Sequence, residues 1–143
     1  MTTIVYHHKS KTIAWDSRAT SGNVIASDED QKMTEVNGVK FWLCGSVADE
    51  RLLIDMYFGE KSEVVPEANA LAWDGDDLFL VGVNDDALLW RQSLRYDKAL
   101  GSGGDFALSA MRLGLSAKEA VEHAKTLDCY TGGEVHVMEI DNG

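Results

Sequence analysis

The apolar residues of this chain come in short blocks, and the longest of them runs only from Leu78 to Val83. A helix that crosses a bilayer needs about 20 consecutive apolar residues, so no segment here is a candidate for one. No basic stretch followed by an apolar run opens the chain either, and the expected location is cytoplasmic. A length of 143 residues, 45% of them hydrophobic and only one a proline, suits one compact domain, 1-143, with a sizeable core.

The blocks divide by spacing into strands and helices. Residues 3–6 and 12–15 are β-branched and aromatic, and the polar stretch 7–11 between them makes a hairpin. Residues 39–43 form another strand. Three more, at 71–73, 78–83 and 87–90, are separated by the turns Asp74-Gly75-Asp76-Asp77 and Asn84-Asp85-Asp86, which is the pattern of a meander. Helical spacing joins Ala48, Leu52, Leu53, Met56 and Tyr57 ahead of Gly59. It joins Phe106, Ala107, Ala110 and Met111 ahead of Gly114. A third helix is announced by the capping box of Ser116 with Glu119, and its stripe of Ala117, Ala120, Val121 and Ala124 permits close packing. Residues 135–140 supply a last strand, and 61–69, with Pro66, a long loop. Helices are segregated from strands rather than alternating with them, which favours a layered α+β fold over a doubly wound sheet.

Several function classes fall away. Lys and Arg number 13 against 24 Asp and Glu, and a net charge of -11 repels nucleic acid and anionic membranes. Cys44 and Cys129 are isolated, and His7, His8, His123 and His136 lack metal-ligand spacing. The acidic turn at 74–77 fails the calcium-loop pattern because Leu78 stands where an oxygen ligand is needed. Gly101 to Gly104 fits neither phosphate-loop template. No metal and no cofactor is implied.

One chemistry remains, at the start of the chain. Thr2 is small enough for methionine aminopeptidase to remove Met1, leaving one residue with both a hydroxyl and a free α-amine. An α-amine titrates near neutral pH, at about 7.7 to 8.0, so it can accept the hydroxyl proton as the oxygen attacks an amide carbonyl. Thr3 cannot combine the two roles.

Five blocks elsewhere carry a family resemblance. Ile13-Ala14-Trp15-Asp16-Ser17-Arg18-Ala19-Thr20-Ser21-Gly22 resembles the signature segment of proteasome β-subunits and HslV. Lys32 follows Asp16 at the family's spacing, and Cys44-Gly45-Ser46-Val47-Ala48-Asp49 is similar to its Gly-x-x-Ala-Asp segment. Leu100-Gly101-Ser102-Gly103-Gly104 matches the Gly-Ser-Gly turn, and Asp128-x-x-Thr131-Gly132-Gly133 resembles the segment that completes the site. The resemblance covers roughly half the chain, in the family's order. It implies an αββα four-layer sandwich of two antiparallel sheets between helices.

The resemblance also assigns roles. Thr2 is the nucleophile of an N-terminal-nucleophile hydrolase, a threonine-type endopeptidase acting on polypeptides. Lys32 lowers the nucleophile's proton affinity and Asp16 holds the ammonium, as a buried pair. Gly45 gives the oxyanion its backbone N–H, and Ser102, Asp128 and Thr131 orient the terminal amine. A homo-oligomeric ring or double ring is implied, with an ATPase partner unknown. Between Asp49 and Gly101 the chain is short for the family and no second helix follows Gly59, so one helical layer is expected to be reduced. Two other readings stay open: an inactive assembly or scaffold protein that retains Met1, whose amide would remove the base, and an amidohydrolase for small amides on the same fold.

Overall fold

The computed structural model describes residues 2–141. The chain opens with β1 (Ile4–His7), β2 (Thr12–Trp15), β3 (Ala19–Ser21), β4 (Val24–Ser27), β5 (Met33–Val36) and β6 (Val39–Gly45). Helix α1 (Val47–Tyr57) leads into β7 (Ala68–Trp73), β8 (Leu78–Val83), β9 (Leu89–Ser93) and β10 (Lys98–Leu100). Then come α2 (Gly104–Arg112), α3 (Ala117–Lys125) and β11 (His136–Glu139). These elements fall into two compact units, one of residues 2–32 and 95–141, the other of residues 33–94.

The first unit holds a four-stranded antiparallel sheet in the order β10-β1-β2-β11, with the small hairpin β3-β4 beside it in sequence. Helices α2 and α3 lie on this sheet. Ala107, Ala110, Met111, Ala117, Ala120, Val121 and Ala124 make one buried cluster with Val5, Ala14 and Val135. The alanine stripe of α3 places little bulk between helix and strand, so the axis approaches the sheet closely. Ser116 accepts from the Glu119 N–H at 3.2 Å while the Glu119 carboxylate accepts from the Ser116 N–H at 3.0 Å, which satisfies two donors that the helix cannot. Phe106, expected on the packed face of α2, is instead 40% exposed, and the inward stripe is carried by alanines and Met111.

The second unit is a five-stranded antiparallel meander in the order β5-β6-β7-β8-β9. Helix α1 covers it with Leu53, Ile54 and Tyr57 against Phe41, Ala70, Ala72 and Val81, and the Phe41 and Tyr57 rings meet edge to face at 5.1 Å. Ile54 takes part in that face, whereas Ala48 is exposed. Among the described residues α1 is the one helix of this unit, and 58–67 contains no second one. Strand β7 begins at Ala68, inside the expected loop, because residues 68–73 pair with residues 40–45 of β6. Ala87 is not a strand residue but a turn residue with φ 58°. No described helix is long and apolar enough to cross a membrane.

Candidate active site

The hairpin register builds the first part of the site. Ile4 pairs with Trp15 and Val5 with Ala14, and one step further the Asp16 N–H donates to the Thr3 carbonyl at 3.2 Å. Asp16 is thereby fixed opposite the start of the chain, with no accessible surface. Its Oδ1 accepts from Thr2 Oγ1 at 2.7 Å, from the Thr3 N–H at 3.1 Å and from Lys32 Nζ at 3.2 Å. Its Oδ2 accepts from the Gly132 N–H at 3.0 Å and the Arg18 N–H at 3.3 Å. Five donors converge on one buried carboxylate, which is what keeps its charge tolerable away from water.

Lys32 lies just before β5, and its side chain is 6% exposed. Its ammonium also donates to the Arg18 carbonyl at 2.6 Å. The Arg18 guanidinium grips Asp28 with two N–H bonds, at 2.8 and 3.2 Å, and reaches the Cys129 carbonyl at 3.0 Å. Three segments separated in sequence are joined at this point: 16–18, 28–32 and 128–133. A buried ion pair of this kind is not a surface bridge, and removing either partner would strand a charge.

A second carboxylate organises the other half. Asp128 Oδ2 accepts from Ser102 Oγ and Thr131 Oγ1, both at 2.6 Å, and Oδ1 accepts from the Tyr130 N–H at 3.1 Å. Burial pushes this carboxyl upward, but the bonds from Ser102, Thr131 and Tyr130 outweigh it and hold the group below its ordinary value. Thr131 Oγ1 lies 2.7 Å from Thr3 Oγ1, so the start of β1 also touches this cluster.

Glycines shape the cradle where a side chain has no room. Gly101 has φ +94°, and a Cβ there would run into the Thr2 carbonyl. A Cβ on Gly103 would run into the hydroxyls of Thr3 and Thr131. The Gly-Ser-Gly turn is therefore a saddle on which residues 2 and 3 sit.

Thr2, Asp16, Lys32, Ser102, Asp128 and Thr131 thus all belong to the first unit and lie in these two connected clusters. Gly45 belongs to the second unit, at the end of β6 with φ +128°. Its own sheet demands glycine there, because a Cβ would strike the Glu67 carbonyl and the Ala68 Cα of the paired strand. The expected removal of Met1 concerns a residue outside the described ones. Thr3, Arg18 and the N–H groups of Tyr130 and Gly132 escaped the sequence reading as members of the site. Only the adjacency of Thr3 to Thr2 and of Arg18 to Asp16 hinted at them.

No protein-family model matches the sequence, and no curated protein matches it. Solved structures do. BPH of Thiobacillus denitrificans in complex with epoxomicin superposes with a TM-score of 0.72 at 19% identity, over 97% of this chain and 99% of that one. BPH alone gives 0.71 at 18% identity, over 99% of each chain. The eukaryotic HslV of Trypanosoma brucei gives 0.67 at 19% identity, over 96% of this chain and 99% of that one. The likeness establishes the fold: the chain has the mixed α+β, antiparallel-sheet sandwich of these structures.

Proposed function

We propose that this protein is a threonine-type endopeptidase, an N-terminal-nucleophile hydrolase whose nucleophile is Thr2 once Met1 is removed, with the whole chain 1-143 acting as one domain. The observation that carries the reading is the hydroxyl of Thr2, 2.7 Å from a fully buried Asp16 whose same oxygen takes the Lys32 ammonium at 3.2 Å. The hydrogen bond to Asp16 would stabilise any threonine there, but a buried ammonium held on the same oxygen also favours the Thr2 oxygen as it loses its proton, which is what a nucleophile needs.

In this reading the Thr2 hydroxyl turns its proton from Asp16 to the freed α-amine, which takes it as Oγ1 attacks the peptide carbonyl. The carbonyl oxygen gains the negative charge, and the family resemblance assigns the Gly45 N–H to receive it. The peptide nitrogen leaves as an amine after taking the proton from the α-ammonium, and an ester on Thr2 remains. Water then attacks that ester, giving a proton to the α-amine, which passes it to Oγ1 as the ester C–O bond breaks, so that the acid is released and Thr2 is restored. Lys32 supplies the field and Asp16 holds it in place. Ser102, Asp128 and Thr131 orient the amine.

Polypeptides are the proposed substrates, and a homo-oligomeric ring or double ring in the cytoplasm is the proposed assembly. The BPH structure holds epoxomicin, and an epoxyketone needs an amine and a hydroxyl on one residue, which makes it a fitting probe for Thr2. The reading is tested by hydrolysis of fluorogenic peptides by the full-length protein. Thr2→Ala is expected to lower kcat at least about a thousandfold, as loss of a nucleophile does, while Thr2→Ser keeps part of the activity. A Thr2→Ala variant that cleaves at the wild-type rate would exclude the nucleophile.

A further inference from the structure

The two carboxylate clusters are joined through Thr3, whose side chain is fully buried. Its N–H donates to Asp16 Oδ1 at 3.1 Å, and its hydroxyl lies 2.7 Å from that of Thr131. Distance alone leaves open which hydroxyl donates, but the neighbours decide it. Asp128 Oδ2 lies 2.6 Å from Thr131 Oγ1, and an ionised carboxylate only accepts, so the single proton of Thr131 points at Asp128. Thr131 must then accept from Thr3. The order is Thr3 to Thr131 to Asp128, with Ser102 donating to the same Asp128 oxygen at 2.6 Å. Each donor in such a chain is polarised by the next, which strengthens all of them. Glycine at 103 keeps the path open, because a Cβ there would displace both threonine hydroxyls.

We infer that Thr3 is a positioning residue for the threonine-peptidase site proposed above: its hydroxyl steers Thr131 and Asp128 while its N–H steers Asp16, so that Thr2 is held between two aligned carboxylates. Thr3 touches no reacting atom. It sets where the neighbours of the terminal amine and of the hydroxyl stand relative to each other.

Two substitutions separate this role from plain packing. Thr3→Val keeps the β-branched shape and loses the hydroxyl, whereas Thr3→Ser loses the buried methyl and keeps the hydroxyl. If the hydroxyl matters for positioning, Thr3→Val lowers kcat about tenfold with KM within about twofold, the effect of one lost buried hydrogen bond. Thr3→Ser then stays near wild-type kcat even though its lost methyl lowers the melting temperature. Thr131→Val lowers kcat similarly, and the double variant Thr3→Val/Thr131→Val is no worse than the weaker single, because both break one chain.

A second measurement needs no turnover. The Asp128 carboxyl, titrated by NMR in the full chain, is expected to shift upward in Thr3→Val and to stay in place in Thr3→Ser. Wild-type kcat in Thr3→Val, equal losses in Thr3→Val and Thr3→Ser, or an unmoved Asp128 titration in Thr3→Val would each overturn the inference. A wild type inert toward peptides whose Asp128 still shifts in Thr3→Val would overturn the peptidase reading and uphold the placement of Thr3.

Discussion

Asp16→Asn is the substitution that asks most of the buried pair. The two side chains have the same shape, so the effect is electrical. Three donors face Oδ1 (Thr2 Oγ1, the Thr3 N–H and Lys32 Nζ), and two backbone donors, the N–H groups of Gly132 and Arg18, face Oδ2. An asparagine can turn its amide either way. With the nitrogen toward Oδ2's place, two backbone N–H groups meet another donor. With it toward Oδ1's place, the Thr3 N–H and the lysine do. Each orphaned buried donor costs about 1–3 kcal/mol, and a buried charge that loses its partner costs about 3–5 kcal/mol. These effects overlap, because the same amide causes both, and the expected net destabilisation is about 4 kcal/mol. Domains of this size hold about 5–15 kcal/mol in all, so a large part of the stability goes. In equilibrium urea unfolding, with slopes of about 1–3 kcal/mol per molar, the midpoint should fall by about 2 M. Adding Lys32→Met removes the stranded charge, and the double variant should recover part of the loss. Destabilisation of less than about 1 kcal/mol, or a double variant no better than Asp16→Asn, would refute the converging-donor account.

Two further predictions concern pH and the glycine saddle. Asp128 titrates below its ordinary value in the folded protein, so the stability it contributes is fully present above the unfolded value, about 3.9, and is lost as pH falls through the lower folded one. The gap in urea midpoint between wild type and the double variant Ser102→Ala/Thr131→Val should therefore be wide near neutral pH and narrow once pH drops below about 4; a gap constant with pH would contradict this. Gly101→Ala and Gly75→Ala both place alanine at positive φ, +94° and +100°, but only at position 101 does the new Cβ meet anything, the Thr2 carbonyl. Gly75→Ala should cost about 1 kcal/mol, and Gly101→Ala clearly more, together with loss of epoxyketone labelling at Thr2. Equal costs for the two would show that the saddle is not tight.

Local chemistry made much of the fold legible. The hairpin of β1 and β2 shows in two β-branched and aromatic runs about a polar turn, and α3 shows in its capping box. What stayed hidden lacks a local signature. Strands β3 and β4 are short and largely exposed, with Val24 and Ile25 facing outward, so no buried stripe marks them. Strand β10 spans Lys98–Leu100, too short for alternation to show, and pairs with β1 far away in the chain. Strand β5 is half polar, and its identity comes from pairing with β6. In the candidate site, the grouping of Thr2, Asp16 and Lys32 was legible through ordered motifs. The N–H of Gly132 on Asp16 and the hydroxyl of Thr3 on Thr131 were not, because backbone donors and partners 116 and 128 positions apart leave no pattern in the sequence.

The central claim is that Thr2 acts with its own amine, and the intact mass and N-terminal sequence of the protein from its native source, incubated with and without epoxomicin, test it most directly. The account predicts a chain beginning at Thr2 and a single adduct confined to that residue. A retained Met1 with no adduct would contradict it, and would leave an assembly protein on a peptidase fold.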